Sequence, residues 1–417
     1  MMSENTMEII FLDNGLIGKG EHSYGLVKKV GEALSARGLP HRVFGMASVE
    51  AAIIAEIGAI PHFRRSLYES ESPTPNERRL LTFAAMIRGA SFDRSLPSER
   101  TSGRVLNTSF EQDLRALPSD VWNADNLIVA PGVSQNQILG LIRHLFAKPA
   151  DERPRVVCQL MFAPSWTPWG RNANLGDWLY KRAFHLAVPL RKTLFFTAEN
   201  EAIAEIYRER YRIEPAILPV PFGGAAPAVI RDGRPRLGFF GYSKCDKGFH
   251  LLPNAIELCR QKGIEADFTI QVQHGGWEAG AIAAERDLRK MESVRLIEGV
   301  LDDRDYTAET SCIDVMLLPY DPVLFGLRGS GIFTQSVAAG RPVVASAGTF
   351  AGRCVTLGEA EGEVFSPYDA AALAEAIARL LPRLAESQTR AAARAKTFAQ
   401  SHSADAYVDV LLAHAKR

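Results

Sequence analysis

Residues 314–346 constrain this chain more than any other stretch, because they read as a buried strand, a glycine-rich loop, a helix and a second buried strand. Asp314-Val-Met-Leu-Leu-Pro319 is a short apolar run closed by proline, and Pro342-Val343-Val344-Ala345-Ser346 is another. Between them lies Gly329-Ser330-Gly331-Ile332-Phe333-Thr334-Gln335-Ser336-Val337-Ala338-Ala339-Gly340, in which a helix opens near Ser330 and ends at Gly340. Glycines that let a backbone come close, placed ahead of a helix N-terminus, leave unsatisfied N–H groups and the positive end of the helix dipole directed outward. Such a turn can seat a diphosphate.

The rest of the chain supplies the frame for that turn. A length of 417 residues exceeds one compact core and suits two domains. Strand signals at residues 9–12, 42–44, 126–130 and 156–162 alternate with helical stretches at 23–36 and 173–187, which argues for a parallel sheet covered on both faces. At residues 217–227 the texture changes to a proline and glycine linker, and Arg236-Leu-Gly-Phe-Phe-Gly241 begins a fresh strand. The second half repeats the scheme with strands at 267–273, 294–298, 314–318 and 342–345. The fold class read from this is α/β: two doubly wound, Rossmann-like domains at 1–220 and 221–400, facing across a cleft at the carboxyl ends of their strands, with a closing helical segment at 401–417.

Lys plus Arg equals Asp plus Glu at 48 each, so there is no overall charge to draw in nucleic acid, and an anionic ligand must be held by local groups. The five cysteines show no zinc-like spacing and read as reduced thiols of a cytoplasmic protein. No signal peptide is visible, and no stretch reaches the ~18 uninterrupted apolar residues of a membrane span.

Several segments then carry a resemblance. The order Leu318-Pro319-Tyr320, Gly329-Ser330-Gly331-Ile332-Phe333 and Ala338-Ala339-Gly340-Arg341-Pro342-Val343-Val344-Ala345-Ser346 resembles the donor-binding segment of family 4 glycosyltransferases. Phe239-Phe240-Gly241-Tyr242-Ser243-Lys244-Cys245-Asp246-Lys247-Gly248-Phe249 resembles the loop that opens the donor domain of that family. Gly15-Leu16-Ile17-Gly18-Lys19-Gly20-Glu21-His22-Ser23-Tyr24 resembles its acceptor-side glycine loop. The likeness is specific mainly from Arg236 onward, and residues 66–126 match nothing nameable. It implies a GT-B fold, a final helix crossing back onto the first domain, and retaining transfer of a hexose-type unit from a nucleotide diphosphate sugar to a saccharide or lipid-linked glycan, in cell-surface polysaccharide or glycoconjugate synthesis.

Site residues follow from these matches. The resemblance gives Lys247 as the donor-loop lysine, with Lys244 on the same loop and Arg328 placed for the second phosphate. Gly241, Gly329, Ser330 and Gly331 would approach the diphosphate, and Gly299 is a candidate for the nucleotide base by position. The family's usual glutamate pair falls on Leu327 and Gln335, and its usual arginine after the loop glycine on Tyr242. Gln335 can still bond a ribose hydroxyl, whereas Leu327 can do no polar work. On the acceptor side stand Gly18, Gly20 and His22, the last also a candidate for touching the transferred sugar, together with Trp166 and Arg171 in the loop Pro164-Ser165-Trp166-Thr167-Pro168-Trp169-Gly170-Arg171. Catalytic groups are then His22, Lys247 and Arg328. No Asp-x-Asp pair stands in the setting used by metal-dependent sugar transferases, so a metal-independent reaction is expected. A basic and aromatic helix over residues 177–192 suits either an ordinary solvated surface or a peripheral contact with anionic lipid. The altered glutamate pair leaves a non-catalytic binding protein of the same fold as an alternative, and a sugar-nucleotide epimerase is the further one.

Overall fold

The computed structural model describes residues 7–19, 22–67, 99–164, 173–221, 233–274 and 278–415. The chain forms two compact units: residues 1–221 together with 404–417, and residues 222–403.

The N-terminal unit is built on a seven-stranded sheet. Its strands are β1 (Ile9–Leu12), β2 (His41–Met46), β3 (Ile60–Phe63), β4 (Leu127–Ala130), β5 (Arg155–Leu160), β6 (Leu194–Ala198) and β7 (Ala216–Ile217), in the order β3-β2-β1-β4-β5-β6-β7. Every pairing is parallel. Every residue of β1 and β4 is buried, which is why these strands read as unbroken apolar runs and not as alternating ones. The closing helix Ala404–Ala415 belongs to this unit, where it packs against the helix His22–Ala36 and near β5. It buries Tyr407, Val408 and Leu411, and the Tyr407 hydroxyl donates to Gln159 Oε1 at 2.9 Å.

The C-terminal unit holds β8 (Arg236–Phe239), β9 (Asp267–Val272), β10 (Val294–Glu298), β11 (Val315–Leu318), β12 (Val343–Ser346) and β13 (Gly362–Phe365), in the order β10-β9-β8-β11-β12-β13 and again all parallel. Successive residues of β11 enter different cores: Val315 and Leu317 pack with Phe249, Leu252 and Leu373 on one face, Met316 and Leu318 with Phe333, Val337 and Phe325 on the other. β11 is therefore apolar on both faces. Among the described residues no helix is long and apolar enough to cross a membrane.

Candidate functional site

In the C-terminal sheet the chain runs from β8 out to β9 and β10 on one side and returns to β11 on the other, so the carboxyl ends of β8 and β11 form its switch point. The loop after β8 is stitched down by side chains from the neighbouring strand. The Gly241 N–H donates to Gln271 Oε1 at 2.8 Å, and Gln271 Nε2 donates to the Gly299 carbonyl at 2.8 Å, so one buried amide ties together the ends of β8, β9 and β10. The Ser243 hydroxyl donates to the Gln271 carbonyl at 3.1 Å and accepts from the Gln273 N–H at 3.0 Å.

The loop then makes one tight turn, Cys245–Lys247, and reverses at Gly248, whose φ is +73°. A β-carbon at Gly248 would lie 1.7 Å from the Pro319 carbonyl oxygen, so only glycine lets the loop lie against the end of β11. The Asp321 N–H donates to the Asp246 carbonyl at 2.8 Å and completes this attachment. Lys247 is thereby fixed in position.

Its Nζ lies 3.0 Å from where a β-carbon on Gly241 would stand, which explains the glycine there, and 5.7 Å from the centroid of the Tyr242 ring. Lys244 Nζ lies 5.2 Å from the same ring. Burial is the main influence on Lys247 and brings its ammonium down to about 8; the Arg328 guanidinium lowers it further, Asp246 opposes, and Lys244 adds to the lowering. Three cations thus share one small region, and among the described residues Lys247 has no ion-pair partner.

Facing this loop is the helix Gly331–Ala338. Ser330 caps it, its hydroxyl accepting from the Phe333 N–H at 3.3 Å while lying 3.2 Å from the Tyr320 hydroxyl. The N–H groups of Gly331 and Ile332 have no acceptor within their own helix, as in any first turn. Ile332 Cγ1 is 4.0 Å from the would-be β-carbon of Gly241, so this first turn adjoins the lysine loop. One turn further along, Gln335 Oε1 accepts from the Tyr306 hydroxyl at 2.8 Å, and the Tyr306 ring meets Phe240 edge-on.

The donor-side candidates read from the sequence, Gly241, Lys244, Lys247, Gly299, Arg328, Gly329, Ser330, Gly331 and Gln335, are accordingly brought together at one end of one sheet. Leu327 stands just ahead of Arg328 in the chain. Gln271, Ser243 and Tyr306 also take part: sequence reasoning singled out none of them, Ser243 lying unremarked in the loop after β8 and the other two outside any recognisable motif. Acceptor-side candidates belong to the other unit. There Gly18 lies against Glu50, whose Oε1 is 2.8 Å from a would-be β-carbon. His22 opens the helix His22–Ala36, but its side chain is outside the described residues, and Gly20, Trp166 and Arg171 lie outside them altogether. Among the described residues no three His, Cys, Asp or Glu side chains gather as a metal site.

Two parallel, doubly wound units of this topology define the GT-B fold. Residues 234–383 match the family model described as Glycosyl transferases group 1. Solved structures with the same fold include a glycosyltransferase from Rickettsia africae ESF-5, 12% identical over 99% of this chain and 98% of that one, with a TM-score of 0.63. Another, described as trehalose-6-phosphate from E. coli bound with UDP-2-fluoro glucose, is 13% identical over 98% and 99% of the two chains, with a TM-score of 0.60. The lipopolysaccharide outer core galactosyltransferase WaaB is 12% identical over 95% and 99%, with a TM-score of 0.57. No curated protein sequence matches the chain.

Proposed function

We propose that this chain is a GT-B glycosyltransferase of the family 4 type that transfers a hexose unit, with retention, from a nucleoside diphosphate sugar to a saccharide or lipid-linked glycan. The observation that carries this reading is the group of Lys247, Lys244 and Arg328 beside the capped helix that opens at Gly331. When a glycosidic bond to a diphosphate stretches, negative charge grows on the leaving oxygens, and fixed cations and N–H donors stabilise it. Lys247 suits that task because its ammonium is half-buried and crowded by Arg328, so an arriving diphosphate relieves a repulsion as well as forming new bonds. These side chains supply the neutralising charge, and we read the reaction as metal-independent on that account.

Gln335 is read as the ribose contact. With its Oε1 engaged by Tyr306, its amide N–H groups are left to donate to a ribose hydroxyl. The E. coli structure bound with UDP-2-fluoro glucose supports a nucleotide-linked hexose as donor, and the WaaB likeness supports a cell-surface glycan as acceptor. We place this work in the cytoplasm, with a lipid-linked acceptor bringing the protein to the inner face of a membrane.

Leu327, where the related pattern has a glutamate, favours a second reading: a nucleotide-sugar binding protein without turnover. The test is calorimetric titration of UDP, GDP and ADP and their hexose conjugates, followed by donor turnover. Lys247→Ala is expected to weaken diphosphate binding by about 1.5–3 kcal/mol with the fold intact. Unchanged affinity would remove Lys247 from the site, and binding with no turnover on any saccharide acceptor would favour the second reading.

A further inference from the structure

Tyr320 stands just beyond the carboxyl end of β11 and is 2% exposed. Its backbone is fixed from two sides: its N–H donates to the Leu318 carbonyl at 2.8 Å, and its carbonyl accepts from the Ser346 hydroxyl at the end of β12. Its ring packs against Phe325, with centroids 4.6 Å apart, and the Phe325 centroid in turn lies 5.1 Å from Cζ of Arg328. One buried phenol ring thus backs the aromatic face on which the Arg328 guanidinium rests.

Among the described residues the phenol hydroxyl bonds to the Ser330 hydroxyl, at 3.2 Å, and which of the two donates decides what this end of the sheet offers a ligand. Burial pushes the phenol up to about 12, with Ser330 and then Arg328 lowering it and Asp246 raising it, so Tyr320 keeps its hydrogen throughout the neutral range. If Ser330 were the donor, that hydrogen would be buried without an acceptor and would carry the full desolvation cost of an unmade bond. Donation from Tyr320 to Ser330 avoids this cost. Ser330 Oγ then accepts twice, from the Tyr320 O–H and from the Phe333 N–H at 3.3 Å, and both of its lone pairs are used. Its own hydrogen is left over, on a residue that is only half-buried.

What remains is one-sided. The Ser330 O–H and the N–H groups of Gly331 and Ile332 are consecutive along the chain; all three donate, and none has a lone pair left to accept. A group that only accepts suits all three, and an ionised phosphate oxygen does so with charge-assisted bonds. Accepting from Tyr320 also polarises the Ser330 hydroxyl and makes it the stronger donor.

We infer that Tyr320 is a positioning residue for the donor diphosphate: by donating to Ser330 it turns the serine hydrogen outward to a phosphate oxygen, and through Phe325 it seats the Arg328 guanidinium. Tyr320 touches no ligand itself and acts through these two neighbours. That the phosphate belongs to a sugar donor rests on the glycosyltransferase reading.

The experiment titrates UDP, GDP and ADP, each alongside its free nucleoside, into the full chain by calorimetry, for wild type, Tyr320→Phe, Ser330→Ala and the double variant. Phenylalanine keeps the ring against Phe325 and removes only the hydroxyl. The diphosphate that binds wild type most tightly is expected to lose about fivefold in affinity in Tyr320→Phe and about tenfold in Ser330→Ala, with the double variant no weaker than Ser330→Ala alone. The matching nucleoside should bind both single variants as it binds wild type, however weakly, because the hydroxyl acts only on phosphate. If Tyr320→Phe does not fold, Phe325→Leu decides: it should weaken diphosphate binding several-fold, and by nothing further in an Arg328→Ala background. Unchanged diphosphate affinity in the deciding variant, losses that add in the double variant, or an equal loss for the nucleoside would each overturn the positioning role while leaving the glycosyltransferase reading in place. A wild type that binds none of the diphosphates would overturn both.

Discussion

At the scale of single residues, the protein keeps ionisable groups where their protonation has consequences. Burial brings Lys247 down to about 8, so its ammonium is complete below that pH and lost above it, and the proposed diphosphate contact goes with it. Affinity for UDP should fall as pH rises through about 8, and binding near that pH should take up a proton, read by calorimetry in buffers of different ionisation enthalpy. Lys247→Ala should abolish the proton uptake. Tyr306→Phe should free the Gln335 amide and weaken UDP binding by about 1 kcal/mol without moving that pH dependence, again read by calorimetry. His144 behaves in the opposite sense. It is buried against Trp122 with ring centroids 4.2 Å apart, its Nε2 has no partner, and burial, with Lys148 and Arg115 adding, brings it down to about 4. A histidine whose folded-state value lies below its unfolded one stabilises the fold at pH above the unfolded value. That stability is lost as pH falls from about 6.5 toward 4, on the order of 2–3 kcal/mol in all. Thermal unfolding between those pH values should show the loss, and His144→Phe should flatten it.

At the scale of elements, the reversal at Gly248 decides where Lys247 stands. Gly248→Ala would force a β-carbon against the Pro319 carbonyl at a left-handed backbone position, so the loop must leave the end of β11. Such a variant should lose about 2 kcal/mol or more of stability and most of its UDP affinity, seen in denaturant unfolding and in titration. Elements of this kind were legible in the sequence to very different degrees. The helix Ala173–Ala187 was legible as a helical stretch, and the helix Ala404–Ala415 as part of a closing helical segment read at 401–417. The edge strand β3 was not, since it contains Pro61 and exposes Ile60, and neither was the two-residue β7. The alanine-rich stretch after residue 370 is two helices, Ala370–Leu380 and Leu384–Ser401, interrupted at Pro382. In the site, the glycines and Lys247 could be read because motif and backbone conformation coincide there. Gln271 could not, because its role arises only when strand ends far apart in sequence come together, as it and Gly241 do across thirty residues, and Tyr306 could not, because its bond to Gln335 joins two separate helices.

At the scale of the whole molecule, the N-terminal unit is discontinuous: it is completed by the helix Ala404–Ala415, which returns after the entire C-terminal unit. Arg37 pairs with Asp405 and Asp409 at 2.7 and 2.6 Å, but these partners are exposed, and most of the stabilisation comes from burying Tyr407, Val408 and Leu411. Deleting residues 404–417 should therefore destabilise the N-terminal unit while leaving the other intact. In calorimetric scans one unfolding transition should move down in temperature, and the transition that UDP raises should stay in place. Unmoved transitions would show that the helix contributes nothing to the unit it completes. During synthesis the same connectivity sets an order of events. The last helix leaves the ribosome after all of the C-terminal unit, so a nascent chain can finish its C-terminal unit while the unit begun first still lacks a wall. A stop codon anywhere in that final helix would release a chain whose C-terminal unit is whole while its N-terminal unit stays unfinished.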